Sequence, residues 1–178
     1  MEQIALVRYG VVPEVARFAA AANASFERGE QLVVQTDRGP QLGIFLEWEK
    51  PSVEPRMQPE PPAWKALRAT SQDDLEQAEQ CKQRAAAGFA AWEQRIEQWQ
   101  LELQLIEIEF TLDQSREILY VLNERGPDCT KLAIQAAASG FGVIEVQPVS
   151  ATGLVTLPTS GGCGSGGGGC GSGGCHHG

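Results

Sequence analysis

SQDDLEQAEQCKQRAAAGFAAWEQRIEQW, residues 71–99, is the stretch whose reading decides the fold. Leu75, Ala78, Lys82, Ala85, Phe89, Trp92, Ile96 and Trp99 recur three or four residues apart, the spacing that keeps side chains on one face of a helix. Ser71, three residues before Asp74, is a capping-box-like start, and Asp73, Asp74 and Glu76 put negative charge where the helix dipole is positive. If helical throughout, the segment spans about 43 Å at about 1.5 Å per residue. Gly88 weakens its middle by about 1 kcal/mol relative to alanine. The seam begins with small or long polar residues and ends with Phe89, Trp92, Ile96 and Trp99. The second half is therefore expected to dock on a sheet, and residues 71–84 to project. Cys81, on or beside the seam, reads as a small hydrophobe.

Past Trp99 the period changes to two. Leu101, Leu103 and Leu105 share one parity and Ile106, Ile108, Phe110 and Leu112 the other, so a bend or bulge is expected at Leu105-Ile106 and a firm strand from about Gln104. Glu107, Glu109 and Thr111 form the face expected to point outward. Asp113-Gln114-Ser115-Arg116 turns the chain, and Glu117–Asn123 returns antiparallel. Ile118-Leu119-Tyr120-Val121-Leu122 is apolar on both parities, which predicts a strand covered on both faces. Gly126-Pro127-Asp128 opens a second helix, with Leu132, Ala133, Ala136 and Ala137 as its stripe and Gly140 as its stop. Val143–Gln147 closes the module as a last strand. Helix–strand–strand–helix–strand is an α+β sandwich with its helices on one face of the sheet.

Upstream, Ile4–Tyr9 reads as a strand ended by Gly10 and Pro13. Glu14–Ala20 follows as a strand, with a turn of helix open as the alternative for Ala19–Ala22. Gln31–Thr36 and Gln41–Trp48 flank Asp37-Arg38-Gly39-Pro40 as a hairpin. Short strands between glycine-containing turns suggest a small β-barrel or curled sheet. Residues 51–62 carry five prolines in twelve positions and read as a linker. Ala63–Ala69 alternates as a short strand leading into the long helix. The organisation is thus a β-rich, barrel-like module over 1–50, a linker over 51–62, an α+β domain over 63–150 and a tail over 151–178.

The formal net charge is −9, and it sits in the centre of the chain. Residues 71–150 hold six Lys/Arg against fourteen Asp/Glu, whereas residues 1–70 hold eight against nine. An acidic centre repels phosphate backbones and favours basic partners, so direct nucleic-acid binding would need a local basic patch. No apolar run approaches the roughly 20 residues that span a bilayer. Met1-Glu2-Gln3-Ile4 lacks the basic start and apolar block of a signal peptide, which points to the cytoplasm.

Ala69-Thr70-Ser71-Gln72-Asp73-Asp74, Leu105-Ile106-Glu107-Ile108-Glu109-Phe110-Thr111-Leu112-Asp113 and Val143-Ile144-Glu145-Val146 resemble the polymerase-suppressor (PSP) C-terminal domain family, whose bacterial members are the RicT/YaaT-type regulators. The opening Ile4–Arg8 strand, Glu27–Thr36, and Arg38-Gly39 with Gly43 are similar to the start of those proteins. The resemblance implies a cytoplasmic, non-enzymatic protein working in a complex of small partner proteins. It also implies links to RNA processing by an endoribonuclease, to phosphorelay signalling and to iron–sulfur binding. The sequence departs from the family pattern at two places. Asp128-Cys129-Thr130 replaces the usual Asp-Phe-Arg, and Val143, Gln147 and Thr152 replace basic residues around the last strand.

From Ser160 the chain contains only Gly, Ser, Cys and His. It lacks the apolar side chains to build a core and is expected to be disordered unless something folds it. Cys163, Cys170, Cys175, His176 and His177 suit zinc as a Cys3His site or an iron–sulfur cluster, although their spacing matches no compact zinc motif. Incidental cysteines in a low-complexity tail are the bland alternative. No nucleophile–histidine pair falls in the folded part, since both histidines are in the tail. A regulatory or scaffold subunit is thus the leading reading. The alternatives are an RNA-binding module presenting Arg38 and aromatic side chains from Gln31–Thr36 and Gln41–Trp48, and an enzyme using Cys129 in the first turn of its helix.

Overall fold

Alternating apolar residues make strands of the N-terminal segments, and turn chemistry closes them on one another. The computed structural model describes residues 3–50, 62–122, 127–142, 144–151 and 153–155. Strands β1 (Gln3–Tyr9), β2 (Glu14–Ala20), β3 (Gln31–Gln35), β4 (Pro40–Trp48) and β5 (Trp64–Ala69) close a barrel in the order β1-β2-β5-β3-β4. β1 pairs antiparallel with both β2 and β4, and β5 runs parallel to β2 and antiparallel to β3. Glu14–Ala20 is strand along its whole length, with Ala5 opposite Phe18 and Tyr9 opposite Glu14. Ala5, Val7, Phe18, Leu32, Val34 and Phe45 fill the interior. Space there is tight: a Cβ on Gly43 would lie 2.5 Å from Cγ1 of Val7, so only glycine lets β1 and β4 approach. The strand read as a lead-in to the long helix, β5, is the barrel's fifth strand. Of the proline-rich stretch, residues 51–61 lie outside the described residues.

Helix α1 (Gln72–Gln98) starts where the sequence places it. Ser71 and Asp74 form a reciprocal capping box, and Arg68 of β5 pairs with the Asp74 carboxylate. Cys81, Ala85, Trp92 and Ile96 are buried, with Phe89 and Trp99 packed beside them. Docking therefore begins at Cys81, earlier than the expected boundary after residue 84. Cys81 takes the seam position that the spacing assigned to Lys82, which is exposed. A long charged side chain there would have to be buried unpaired, and a thiol does not.

The second sheet has the order β6-β7-β8-β9, from β6 (Gln104–Phe110), β7 (Glu117–Leu122), β8 (Ile144–Ser150) and the two-residue β9 (Gly153–Leu154). β6 starts at Gln104, and the register slips between Leu105 and Glu107, turning Ile106 out to solvent at 40% exposure. β7 and β8 are parallel, joined through α2 (Asp128–Ala138), and β8 folds back on β9, a strand too short for any periodic signal. Both helices pack on one face, over Leu105, Ile108, Phe110, Leu119 and Val121. Leu132 and Ala136 of α2 face inward as expected, but Cys129 completes the stripe while Ala137 is exposed. Gly140, at φ +79, ends the helix in the left-handed conformation. Among the described residues no helix is long and apolar enough to cross a membrane.

Candidate functional site

The other face of the sheet meets the barrel. Ile118, Leu119, Tyr120 and Val121 are each at most 1% exposed, so β7 is covered on both sides as its doubled apolar pattern requires. Register puts Glu109 beside Ile118, and Tyr120 beside Gln147, on this second face. Glu109 and Thr111, expected to point outward, are instead 8% and 0% exposed. The barrel covers them, and a carboxylate tolerates that burial because both its oxygens accept hydrogen bonds. The Tyr120 hydroxyl donates to Glu109 Oε2 at 2.6 Å, the Val11 N–H to the same oxygen at 3.2 Å, and Gln41 Nε2 to Oε1 at 2.8 Å. Behind Gln41, the Thr36 hydroxyl donates to Gln41 Oε1 at 2.8 Å.

Arg38 extends this network across the sheet. It stands at the tip of the β3–β4 hairpin, where the turn directs it at β8 rather than at solvent. Its Nε donates to Glu145 Oε1 at 2.8 Å, Nη2 to Gln147 Oε1 at 2.7 Å and Nη1 to the Tyr120 oxygen at 3.4 Å. Burial alone would lower the Arg38 pKa, but Tyr120, Glu145 and Glu109 outweigh it and hold the guanidinium above the usual arginine value. Burial, with the charge and hydrogen bond of Glu109, pushes the Tyr120 phenol far above its ordinary range, so it stays a donor. The hairpin tip is also tied through the backbone, Leu112 N–H donating to Pro40 O at 2.8 Å. Arg38 is thus an internal strut, and the RNA-binding reading loses the cation it relied on.

Two recesses flank this network. A cleft of about 540 Å³ lies between the barrel and β8–β9, with Tyr9, Glu14, Asp37, Trp64, Glu145 and Gln147 among its lining residues. A second, largely apolar groove of about 410 Å³ runs between α1, β6 and the barrel, past Val11, Leu42, Cys81, Ala85, Phe110 and Glu109. Burial raises the pKa of Cys81, and its thiol donates to the Thr111 carbonyl at 3.6 Å. That is the environment of an inert thiol. Cys129 is buried at the start of α2. Cys163, Cys170, Cys175, His176 and His177 lie outside the described residues, and among the described residues no three metal-ligating side chains are grouped.

Residues 65–137 match the family model for the PSP1 C-terminal conserved region. This stretch is a PSP1 C-terminal region. It begins within β5 and ends in the last turn of α2, so the PSP1 region contributes Glu109 and Tyr120 to the junction. Arg38 and Gln41 come from the β3–β4 hairpin before it, and Glu145 and Gln147 from the strand after it. Comparison with curated proteins and with solved structures gives no match.

Sequence reasoning missed the junction as a site. The signal was present in β7: a strand apolar on both parities requires a second layer over the very face that carries Glu109 and Tyr120.

Proposed function

We propose that the chain is a non-enzymatic regulatory or scaffold subunit that works inside a complex of proteins. The observation that carries this reading is the junction itself. Arg38, Gln41, Glu109 and Tyr120, among the residues best equipped for chemistry, are hydrogen-bonded to one another and lock the barrel to the PSP1 region. A locked body presents its surfaces to a partner with little ordering cost on binding. The outer side of α1 exposes Asp73, Glu76, Glu79, Glu93 and Glu97, which suits a basic partner. Affinity capture of the full chain from cells that make it, with the mass of the complex measured, should yield one partner at fixed stoichiometry. Glu76→Lys with Glu79→Lys should abolish that recovery. A chain that stays monomeric at physiological concentration overturns the proposal.

The resemblance to RicT-type regulators supports a cytoplasmic setting and a link to RNA processing or phosphorelay signalling. Ribonuclease activity co-purifying with the complex tests that link. Cys163, Cys170, Cys175 and one of His176 or His177 support metal binding by the tail, as zinc or an iron–sulfur cluster. Because thiols must deprotonate to bind, loading should strengthen as pH rises. After anaerobic purification, charge-transfer absorption would indicate iron–sulfur and a colourless zinc protein a Cys3His site. Protein that takes up neither with its partners present overturns metal binding.

A further inference from the structure

The cleft between the barrel and β8–β9 combines two features that recognise one kind of ligand. Tyr9 and Trp64 meet edge to face, with ring centroids 5.4 Å apart, and line one side. Glu14 and Asp37 bring two carboxylates to the cleft, and a third lining carboxylate, Glu145, is already engaged by Arg38 and Arg116. Arg38 also lines it, but its Nε and Nη2 are committed to Glu145 and Gln147. The lining therefore carries an excess of negative charge. Glu14 accepts the Tyr9 hydroxyl at Oε2, 2.9 Å away, and its Oε1 has no partner among the described residues. The Asp37 carboxylate accepts no hydrogen bond from any described residue and is exposed at the rim. Leu154 and Val155 give the opposite side an apolar lining. At about 540 Å³ the cleft falls in the range of small-ligand sites.

We propose that this cleft binds an organic cation, a guanidinium or primary ammonium group on an alkyl stem. The charged head sits between Glu14 and Asp37 with the aromatic rings beside it, and the stem lies against Leu154 and Val155. Aromatic faces and carboxylates both attract such a head, and a partly enclosed site screens that attraction less than bulk water does. The cation is either a free amine or an arginine or lysine side chain of another protein. The site stands on the chemistry of the cleft and does not depend on the scaffold reading above.

The test is titration of the full chain with N-acetyl-arginine methylamide, followed through the Trp64 indole resonance, beside its neutral citrulline counterpart. The arginine compound should shift Trp64 and saturate, and the citrulline compound should bind about tenfold more weakly or worse. Asp37→Asn combined with Glu14→Gln should weaken the arginine compound by a similar factor with little change in the unfolding midpoint, since Asp37 is exposed and a glutamine at 14 still offers a carbonyl oxygen to the Tyr9 hydroxyl. Tighter binding of a short arginine-containing peptide than of agmatine assigns the cation to a protein partner, and the reverse order assigns it to a free amine. No Trp64 shift at millimolar ligand, equal binding of the citrulline compound, or unchanged affinity in the double variant overturns the proposal.

Discussion

Replacing Glu109 tests the account of the junction most directly. In Glu109→Ala the Val11 N–H, the Gln41 amide and the Tyr120 hydroxyl lose one shared acceptor. Hydrogen bonds to a charged group are worth about 1.5–3 kcal/mol each, and they are not additive. The apolar groove reaches Glu109, so water can re-satisfy part of what is lost. We expect a net cost of about 3–5 kcal/mol, a large share of the stability of an ordinary domain. Glu109→Gln is the control, because the network can invert. The introduced amide can donate to Gln41 Oε1 if Gln41 flips, and the flipped Gln41 amide can then donate to the Thr36 hydroxyl oxygen. The Thr36 hydroxyl, released from Gln41 Oε1, turns its one proton to the Gly39 carbonyl 3.1 Å away, while the carbonyl oxygen of the introduced side chain still accepts from Tyr120 and Val11. Every donor then keeps an acceptor and only charge assistance is lost, about 1–2 kcal/mol. Urea unfolding followed by far-ultraviolet circular dichroism measures both variants. A cost below about 1 kcal/mol for alanine, or equal costs for alanine and glutamine, would refute the reasoning.

Other perturbations probe the two cores and the charged surface. Trp92 is 3% exposed, packs on Phe141 at 5.0 Å between ring centroids and donates its indole N–H to Glu117 at 2.7 Å. Trp92→Ala should therefore cost about 3–5 kcal/mol in denaturant unfolding, and a mild effect would mean that α1 docks through another face. Gly43→Ala drives a methyl against Cγ1 of Val7 inside the barrel, so it should destabilise by about 1–3 kcal/mol, while the same change at Gly88, where a Cβ would meet open space, should not destabilise. The Lys131 ammonium and the Glu102 N–H hold the Asp128 carboxyl below its ordinary value of 3.8, and Arg68 with Ser71 does the same for Asp74. Carboxyls with lowered folded-state pKa values stabilise the fold above that ordinary value and lose the contribution as pH falls through the folded one. The thermal midpoint should accordingly decline below about pH 4, and less steeply in Asp128→Asn.

Much of the second module was legible in the residues alone. Three- and four-residue spacing with Ser71 and Asp74 located α1, the parity switch at Leu105-Ile106 located the bulge, and Ile118–Leu122 announced a strand with two covered faces. These are local signals, because side-chain direction along a helix or strand follows from backbone geometry at that point. The β3–β4 hairpin was equally readable from its turn residues. The destination of a side chain was not. Arg38 could be placed on a turn, but nothing near it in sequence says that Glu145 and Gln147 wait more than a hundred residues further on. Likewise β5 alternates as any strand does, and closing the barrel depends on β2 and β3 offering their edges.

Glu109 marks the boundary between the two kinds of knowledge. Alternation determined which residues share its face, and composition then suggested water for that face because carboxylates seldom lie inside. Tertiary structure reversed the assignment by bringing three donors to one carboxylate from β6's neighbour β7, the β1–β2 turn and β4. A strand's period follows from its own backbone, whereas the free energy of burying a charge depends on the groups the rest of the chain delivers to it.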